Sequence, residues 1–291
     1  MNLDELNQQF ANEYIRFSAG NGQLPMATIE ADGGTAEIYL LGAHVTRFEP
    51  GGHRPVLFMS EKSRFEEGNA IRGGIPICFP WFAANKHHPD WPAHGFARQQ
   101  TWEVIETVGP TIQLELMGTR LSQQYWKHPF RLVYEVHVGQ TLRTTLRVQN
   151  TGQETFEFED ALHTYLAVQD VRKVKVSGLA DRTYIDSLDG GEQKTQSTEP
   201  ITFTGETDRI YLNTEDVVYV EEEDRGILVE KLGSQSSVVW NPWVEKSKRM
   251  ADFGDDEWAG MLCIETANVG PNRVKLRAQE EHVLNSNLRV E

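Results

Sequence analysis

Two ionisable residues lie inside runs that are otherwise apolar and typical of strands. His163 stands in ALHTYL and Glu265 stands in GMLCIETA. Burying a carboxylate costs several kcal/mol unless the group is paired, and such placement tends to shift pKa values in the way that acid–base catalysis uses. A lone strand histidine is also common as a satisfied core residue, so the residues alone leave both interpretations open for His163.

The segment from Ile71 to Trp102 contains cationic, imidazole and flat aromatic side chains. It contains Arg72, the pair His94-Gly95, Arg98, three tryptophans and four prolines. Because it lacks a helical or strand period over most of its length, we predict a long ordered loop with short extended pieces. A small, polar, anionic ligand needs such a set of groups. The alternative is a loop that only packs against a sheet.

Asp208 in GETDRIYL is a further candidate. It is either a turn aspartate or a ligand to hydroxyl groups, and the neighbouring Arg209 favours the turn. A metal site at His87, His88, Asp90 and His94 is disfavoured, because a loop with proline lacks the fixed spacing of such sites. The sequence has no nucleophile elbow, phosphate-binding loop, dinucleotide fingerprint or C-x-x-C motif. We therefore expect no metal and no cofactor.

These residues must be positioned by strands, because a period of two dominates the chain after its first residues. Leu3, Leu6, Phe10 and Tyr14 predict one short amphipathic helix within residues 1–17. Many short strands with turn signals between them predict an all-β protein, a large antiparallel sandwich or barrel, as one domain over 1–291. The predicted strands are AEIYLL (36–41), VLFMS (56–60), TWEVIE (101–106), TIQLELM (111–117), RLVYEVHVG (131–139) and TLRTTLRVQN (141–150), followed by FEFEDALHTYLAV, VKVSGL, DVVYVEE, GILVEKL, SSVVWN, GMLCIETA, VKLRA and HVLNSNLRV.

Bulk composition narrows the classes of partner. The formal net charge of -15 argues against nucleic acid and against an anionic membrane surface. An anionic substrate would then require a small basic island within a repulsive field. Cys78 and Cys263 are expected to be buried, reduced thiols. With no signal peptide and no apolar run near 20 residues, we expect a soluble, cytoplasmic protein.

Seven stretches occur in an order that resembles the aldose 1-epimerase (galactose mutarotase) family. They are IRGGIPICFPWF, PAHGFAR, ALHTYL, SGLADRTYID, TDRIYLN, VVWNPWVEKSKRMADF and CIETA. The resemblance covers about residues 30–285 and is strongest to the hexose-6-phosphate branch, the glucose-6-phosphate 1-epimerases. It implies a β-supersandwich, two large antiparallel sheets with a substrate cleft on one face, and no cofactor.

The resemblance also implies roles for individual residues. His163 is similar to the family's general acid and Glu265 to its general base. Asp208 resembles the aspartate that holds sugar hydroxyl groups. Arg72 and His94 match positions that contact the ligand.

Arg98 distinguishes the sugar-phosphate branch of this family from the free-sugar branch, because free-sugar mutarotases tend to lack an arginine just after the His-Gly pair. Guanidinium groups bind phosphate oxygens in a bidentate manner, so Arg72 and Arg98 would form the basic island. Ala93 departs from the eukaryotic pattern, which has a polar residue before the histidine. A substrate contact from that side chain is therefore not expected.

The implied function is a mutarotase that interconverts the α and β anomers of hexose 6-phosphates, an isomerase whose partner is a small sugar phosphate. We expect a monomer. Two alternatives stay open, a sugar-phosphate-binding protein without activity on the same fold and a free-aldose 1-epimerase. A glycoside hydrolase is disfavoured, because one strand-embedded carboxylate stands out where two facing ones are needed.

Overall fold

The computed structural model describes residues 1–119, 122–214 and 217–291. Helices are few and short. The α-helices are α1 (Leu3–Phe10), α2 (Ser122–Tyr125) and α3 (Trp243–Ser247), and 3-10 turns span Asn21–Gln23, Ala97–Gln99, Val171–Lys173, Glu257–Gly260 and Gly270–Asn272. None of the helices in the described ranges combines the length and apolar character needed to cross a membrane.

Strands make up most of the regular structure. In chain order they are β1 (Ile15–Ala19), β2 (Pro25–Ala31), β3 (Gly34–Tyr39), β4 (His44–Pro50), β5 (Ile77–Cys78), β6 (Glu103–Val108), β7 (Thr111–Met117), β8 (Phe130–Val138), β9 (Thr141–Asn150), β10 (Phe156–Phe158), β11 (Asp160–Leu162), β12 (Tyr165–Ala167), β13 (Lys175–Ser177), β14 (Thr183–Asp186), β15 (Glu192–Thr195), β16 (Thr207–Leu212), β17 (Val218–Glu221), β18 (Gly226–Leu232), β19 (Ser236–Asn241), β20 (Met261–Asn268), β21 (Val274–Leu276) and β22 (Glu281–Val290).

Two eight-stranded antiparallel sheets form the body of the protein. The first has the order β15-β14-β16-β19-β20-β11-β5, with β12 also paired to β20, and we call it the site sheet. The second has the order β13-β17-β18-β22-β9-β8-β7-β6, and we call it the backing sheet. A four-stranded sheet β1-β2-β3-β4 and the pair β10-β21 complete the architecture. The predicted all-β antiparallel class is confirmed.

The two large sheets pack face to face around a shared core. In β8 the alternating residues Leu132, Tyr134 and Val136 are fully buried, as the period of two predicts. In β20 all eight residues are buried, so both faces of this central strand are covered. The Thr266 hydroxyl of β20 donates to the Ser286 hydroxyl of the backing sheet over 3.2 Å. The face of β20 that carries Thr266 therefore meets the backing sheet, and the other face carries Glu265.

The N-terminal helix is shorter than the predicted range of 1–17. Asn2 caps α1 by accepting from the backbone N–H of Glu5, whose carboxylate accepts from the N–H of Asn2. The helix ends at Phe10, and Tyr14 lies outside it. The chain turns there because Ile15 begins β1, which pairs with β2.

Three predicted strands differ from the structure. Residues 56–60 form only isolated bridges at Leu57 and Met59. The run 156–168 divides into β10, β11 and β12, because the chain leaves the small β10-β21 sheet at Glu159 and enters the site sheet. Of the run 216–222, Val218–Glu221 forms β17, and residue 216 lies outside the described residues. Outside the loop 71–102, the strands β1, β2, β4, β14, β15 and β16 were not predicted.

Buried groups behind the site sheet bear on stability. Cys78 and Cys263 are free and buried, as expected.

Asp160 is fully buried on β11; its Oδ1 accepts from Asn268 Nδ2 over 2.9 Å, and its Oδ2 has no hydrogen-bond partner within the described ranges. Burial raises the pKa of Asp160 to about 7. His282 lies 3.6 Å away, but burial lowers its pKa, so it brings no positive charge at neutral pH.

This placement predicts a pH-dependent stability. Because the pKa of Asp160 is raised on folding, its favourable contribution is complete below the unfolded pKa and is lost as pH rises to about 7. The Asp160→Asn variant lacks this titration. Between pH 4 and pH 8 the wild type should therefore lose up to roughly 4 kcal/mol of unfolding free energy relative to the variant. Urea unfolding of both proteins across this range tests the prediction, and parallel stability curves would contradict it.

Candidate active site

The strand register places His163 directly opposite Glu265. Leu162 pairs with Thr266, and Tyr165 pairs with Cys263. In this register the next residue after Leu162, which is His163, lies opposite Glu265. His163 Nε2 lies 3.3 Å from Glu265 Oε1. The two residues are 5% and 1% exposed. Two groups singled out separately in the sequence are thus one buried acid–base pair, which we call the dyad.

The environment of the dyad shifts both titrations. Burial lowers the pKa of His163 well below its ordinary value, and the charges of Arg98 and Arg72 lower it further. Burial raises the pKa of Glu265 well above its ordinary value, and the carboxylate of Asp208 adds to this rise. Both shifts favour the uncharged forms of the pair, a protonated Glu265 and a neutral His163.

Arg72 is held at the edge of the dyad by three contacts. Its Nε and Nη2 donate to Asp252 Oδ2 over 3.2 and 3.0 Å, and its Nη1 donates to the Tyr165 hydroxyl over 2.9 Å. The Tyr165 ring in turn stacks on the His163 ring, with centroids 4.8 Å apart. Two of the five N–H donors of Arg72 remain for a ligand.

Glycine shapes the backbone that follows Arg72. Gly74 has φ +60, and a Cβ there would lie 2.2 Å from the Val45 carbonyl oxygen. Beneath this turn, buried His44 donates from Nε2 to the Gly73 carbonyl over 2.7 Å. His44 is therefore a structural support for the turn that follows Arg72.

His94 reaches the dyad from the predicted loop. Its ring centroid lies 5.4 Å from that of His163, at an interplanar angle of 74°. The backbone of His94 has φ +63, and Gly95 follows with φ +75. A Cβ at Gly95 would lie 1.8 Å from the Phe79 carbonyl oxygen, so this approach requires glycine. Phe82 packs edge-on against the His94 ring, with centroids 4.7 Å apart.

Arg98 is a buried cation without a carboxylate partner in the described part of the chain. It is 7% exposed, its Nη2 donates to the Ala93 carbonyl over 2.9 Å, and its Nε has no partner there. Burial lowers its pKa, yet guanidinium stays charged in proteins. Its charge also acts on the pKa values of His94, His163 and Glu265. The carboxylate of Asp252 acts on Arg98 only from a distance, so the guanidinium can pair with an anionic ligand.

Unsatisfied polar atoms concentrate at this place. Among the described residues, His163 Nδ1, Glu265 Oε2 and Arg98 Nε are buried without a hydrogen-bond partner. Buried polar groups are nearly always paired, so orphaned atoms in one cluster indicate a missing ligand or solvent. The cluster offers donors and an acceptor, as a polyhydroxy anion would need.

Asp208 lies in a strand, which corrects the turn interpretation. It belongs to β16 and pairs with Trp240, which pairs with Cys263 on β20. Directly paired residues of an antiparallel sheet point to the same face, so Asp208, Trp240 and Glu265 share the face of the dyad. Burial raises the pKa of Asp208, while the ammonium of Lys246 opposes the rise.

His163, Glu265 and Asp208 thus share one face of the site sheet. From the loop 71–102, His94 packs against His163, and the charges of Arg72 and Arg98 act on it. Sequence reasoning missed Tyr165, Trp240, Lys246 and Asp252, although each lies in a stretch that carries the family resemblance. Trp81 in the loop 71–102 is buried, with its Nε1 donating to the Pro92 carbonyl. Across the described chain, no three or more His, Cys, Asp or Glu side chains are grouped to hold a metal.

Comparison with known proteins decides the family. A model described as aldose 1-epimerase matches residues 25–289. The chain belongs to the aldose 1-epimerase family. The resemblance of the seven stretches is confirmed, and with it an isomerase family of carbohydrate chemistry.

Relatives in this family agree with the fold. A protein from Cenchrus ciliaris, named "putative glucose-6-phosphate 1-epimerase", is 37% identical over 249 residues, 80% of this chain and 75% of the relative. A crystal structure from Salmonella typhimurium, described as a "putative mutarotase", superposes with a TM-score of 0.89 at 29% identity, covering 96% and 94% of the two chains. A galactose mutarotase related enzyme from Lactobacillus acidophilus shares the fold at 14% identity, with a TM-score of 0.75 and 91% and 97% coverage. The predicted galactose mutarotase-like supersandwich is confirmed.

Proposed function

We propose that the chain is a mutarotase that interconverts the α and β anomers of hexose 6-phosphates, with glucose 6-phosphate as the favoured substrate. The carrying observation is the buried contact of His163 with Glu265 beside Arg98, a buried cation without a carboxylate partner in the described chain. The name of the Cenchrus ciliaris relative supports the same substrate.

The geometry of the dyad fits chemistry at one carbon. Ring opening removes the proton of the O1 hydroxyl, protonates the ring oxygen O5 and breaks the C1–O5 bond. O1 and O5 are both bonded to C1, so the acid and the base must lie close together, as Nε2 of His163 and Oε1 of Glu265 do at 3.3 Å. Glu265 takes the O1 proton and His163 protonates O5. Rotation about C1–C2 and the reverse transfers close the ring on the other face, and the step balances without a cofactor.

The phosphate has a second effect in this scheme. The forward step needs the proton on His163, whereas the buried surroundings of the dyad favour the proton on Glu265. Arg98 and Arg72 are among the groups that lower the pKa of His163. Arg98 lowers the pKa of Glu265 as well, so cancelling its charge raises both pKa values, whereas Arg72 acts on His163 alone within the pair. A phosphate dianion that offsets the charge of Arg72 therefore favours the proton on His163. A phosphorylated sugar should therefore react faster once bound, besides binding more tightly.

Exchange spectroscopy by NMR tests the function. We expect added protein to accelerate α–β exchange of glucose 6-phosphate well above the spontaneous rate, which is measured without protein and subtracted. Glucose and galactose at equal concentration serve as matched substrates without phosphate. Unchanged exchange of glucose 6-phosphate would refute the proposal. Faster exchange of galactose than of its phosphate would instead favour a free-aldose 1-epimerase, and binding without exchange would favour a sugar-phosphate-binding protein.

A further inference from the structure

Lys246 lies over the face of the site sheet that carries the dyad. It belongs to α3, and its Nζ is 3.1 Å from Glu206 Oε1 and 3.6 Å from Asp208 Oδ2. The same atom is 5.6 Å from the centre of the Trp240 ring. Trp240 packs edge-on against His163, with centroids 5.9 Å apart. The ammonium group is therefore half-buried at the rim of the site and not directed into solvent.

The two carboxylates share Lys246 unequally. The distance to Glu206 is within hydrogen-bonding range, whereas 3.6 Å to Asp208 is too long for a hydrogen bond. Glu206 therefore takes the direct contact. Asp208 experiences the positive charge, yet the lone pairs of its carboxylate are not occupied by Lys246. Such an arrangement leaves an ionised acceptor available for ligand hydroxyl groups.

Asp208 requires a nearby cation because its surroundings favour protonation. Burial raises its pKa most, since the side chain is three-quarters buried, and the carboxylate of Glu206 on the same chain segment adds to the rise. A hydrogen bond with the Ser187 side chain opposes it. A protonated carboxyl would lose the stronger, charge-assisted hydrogen bonds to hydroxyl donors. Lys246 is the cation that faces Asp208 from the element packed above it.

We propose that Lys246 is a positioning residue that keeps Asp208 ionised for the substrate hydroxyl groups, while Glu206 holds the ammonium away from direct contact with Asp208. This inference rests on the proposed function, in which Asp208 binds the sugar. It assigns to α3 a part in substrate recognition that neither the sequence motifs nor the family relationship specify.

Lys248 provides a matched control in the same segment. It is two residues further along, and its Nζ lies 3.8 Å from Glu245 at the surface, with about half of the side chain exposed. Lys248→Gln removes the same charge from the same segment without touching the site. A change seen in both variants would reflect the segment and not Asp208.

The test compares Lys246→Gln, Lys246→Arg and Lys248→Gln in anomer exchange of glucose 6-phosphate. We expect Lys246→Gln to raise KM by about 10-fold, the effect of one charge-assisted contact, with a smaller change in kcat. The acidic limb of 1/KM should move to higher pH, because Asp208 then protonates more readily. Lys246→Arg should restore most of the affinity, and Lys248→Gln should match the wild type.

Glu206→Gln is a second variant if Lys246→Gln fails to fold. It lets the ammonium close on Asp208, and KM should rise in this variant too. Unchanged KM and pH profile in Lys246→Gln, or an equal shift in Lys248→Gln, would overturn the inference. If the wild type does not accelerate exchange, the proposed function fails separately. In that case calorimetry measures the affinity of the same variants for glucose 6-phosphate. Equal affinities would overturn the role of Lys246.

Discussion

Replacing Glu265 with Gln is expected to lower kcat for anomer exchange of glucose 6-phosphate by about 10²–10⁴-fold, the usual contribution of one acid–base group. The amide has the size of the carboxyl group but cannot accept the O1 proton. His163→Gln should have an effect of the same order, because O5 then lacks its proton donor. Since the two groups act as a pair 3.3 Å apart, the double variant should lose little more than either single one.

Asp160→Asn is the control for this prediction. It removes another buried carboxyl group from β11, three residues before His163, on the opposite face of the site sheet. Its exchange rate should match that of the wild type. Glu265→Gln should not unfold more easily at pH 8, because the raised pKa of Glu265 means that its ionisation opposes folding there. Exchange rates by NMR and melting curves check both statements; full activity in Glu265→Gln would disprove its role as base.

Arg98→Gln is expected to abolish most of the preference for phosphorylated sugars. The ratio of kcat/KM for glucose 6-phosphate to that for glucose should fall by roughly 10–100-fold, the value of a charge-assisted contact to an ionised group. The ratio for Arg98→Lys should lie between those of the wild type and Arg98→Gln, because lysine retains the charge but lacks the guanidinium fork. Arg98 is the residue for this test because, among the described residues, no carboxylate forms a direct ion pair with it.

The effect of phosphate on the dyad gives a second readout for Arg98. Phosphite dianion added to the wild type should accelerate exchange of free glucose, because it supplies the charge that shifts the proton toward His163. Arg98→Gln should show no such activation. Melting curves show whether Arg98→Gln folds. If it does not, Arg98→Lys replaces it in this test. An unchanged substrate ratio together with equal activation by phosphite would show that Arg98 is not the phosphate ligand.

The period of two in the sequence was sufficient to predict the class of fold. TIQLELM and TLRTTLRVQN coincide with β7 and β9, because alternation of buried and less buried residues is a local property of a strand. It failed at residues 56–60, where an apolar run lies in the core without a continuous partner strand. It failed also at Glu159, where the chain changes sheet and the alternation is interrupted.

The types of the site residues were predictable, because an ionisable group in an apolar strand is costly and therefore conspicuous. His163 and Glu265 met that criterion, and the arginines stood in a loop without regular period. Lys246 and Asp252 did not stand out, since charged residues in a polar segment are usually solvated. Asp208 was ambiguous, because its neighbour Arg209 is typical of a turn although the residue lies in β16.

The sequence by itself determined the all-β class, the family and the acidic and basic groups available for chemistry. Only the tertiary structure decided which of them meet: Glu265 lies opposite His163 because β20 pairs with β11 and β12 in one register, and a shift of one residue would turn Glu265 to the opposite face. It also decided that Arg98 has no carboxylate partner in the described chain while Arg72 is paired with Asp252. The hydrophobic periodicity of a strand depends only on its own residues, whereas register and charge pairing depend on segments far apart in the chain.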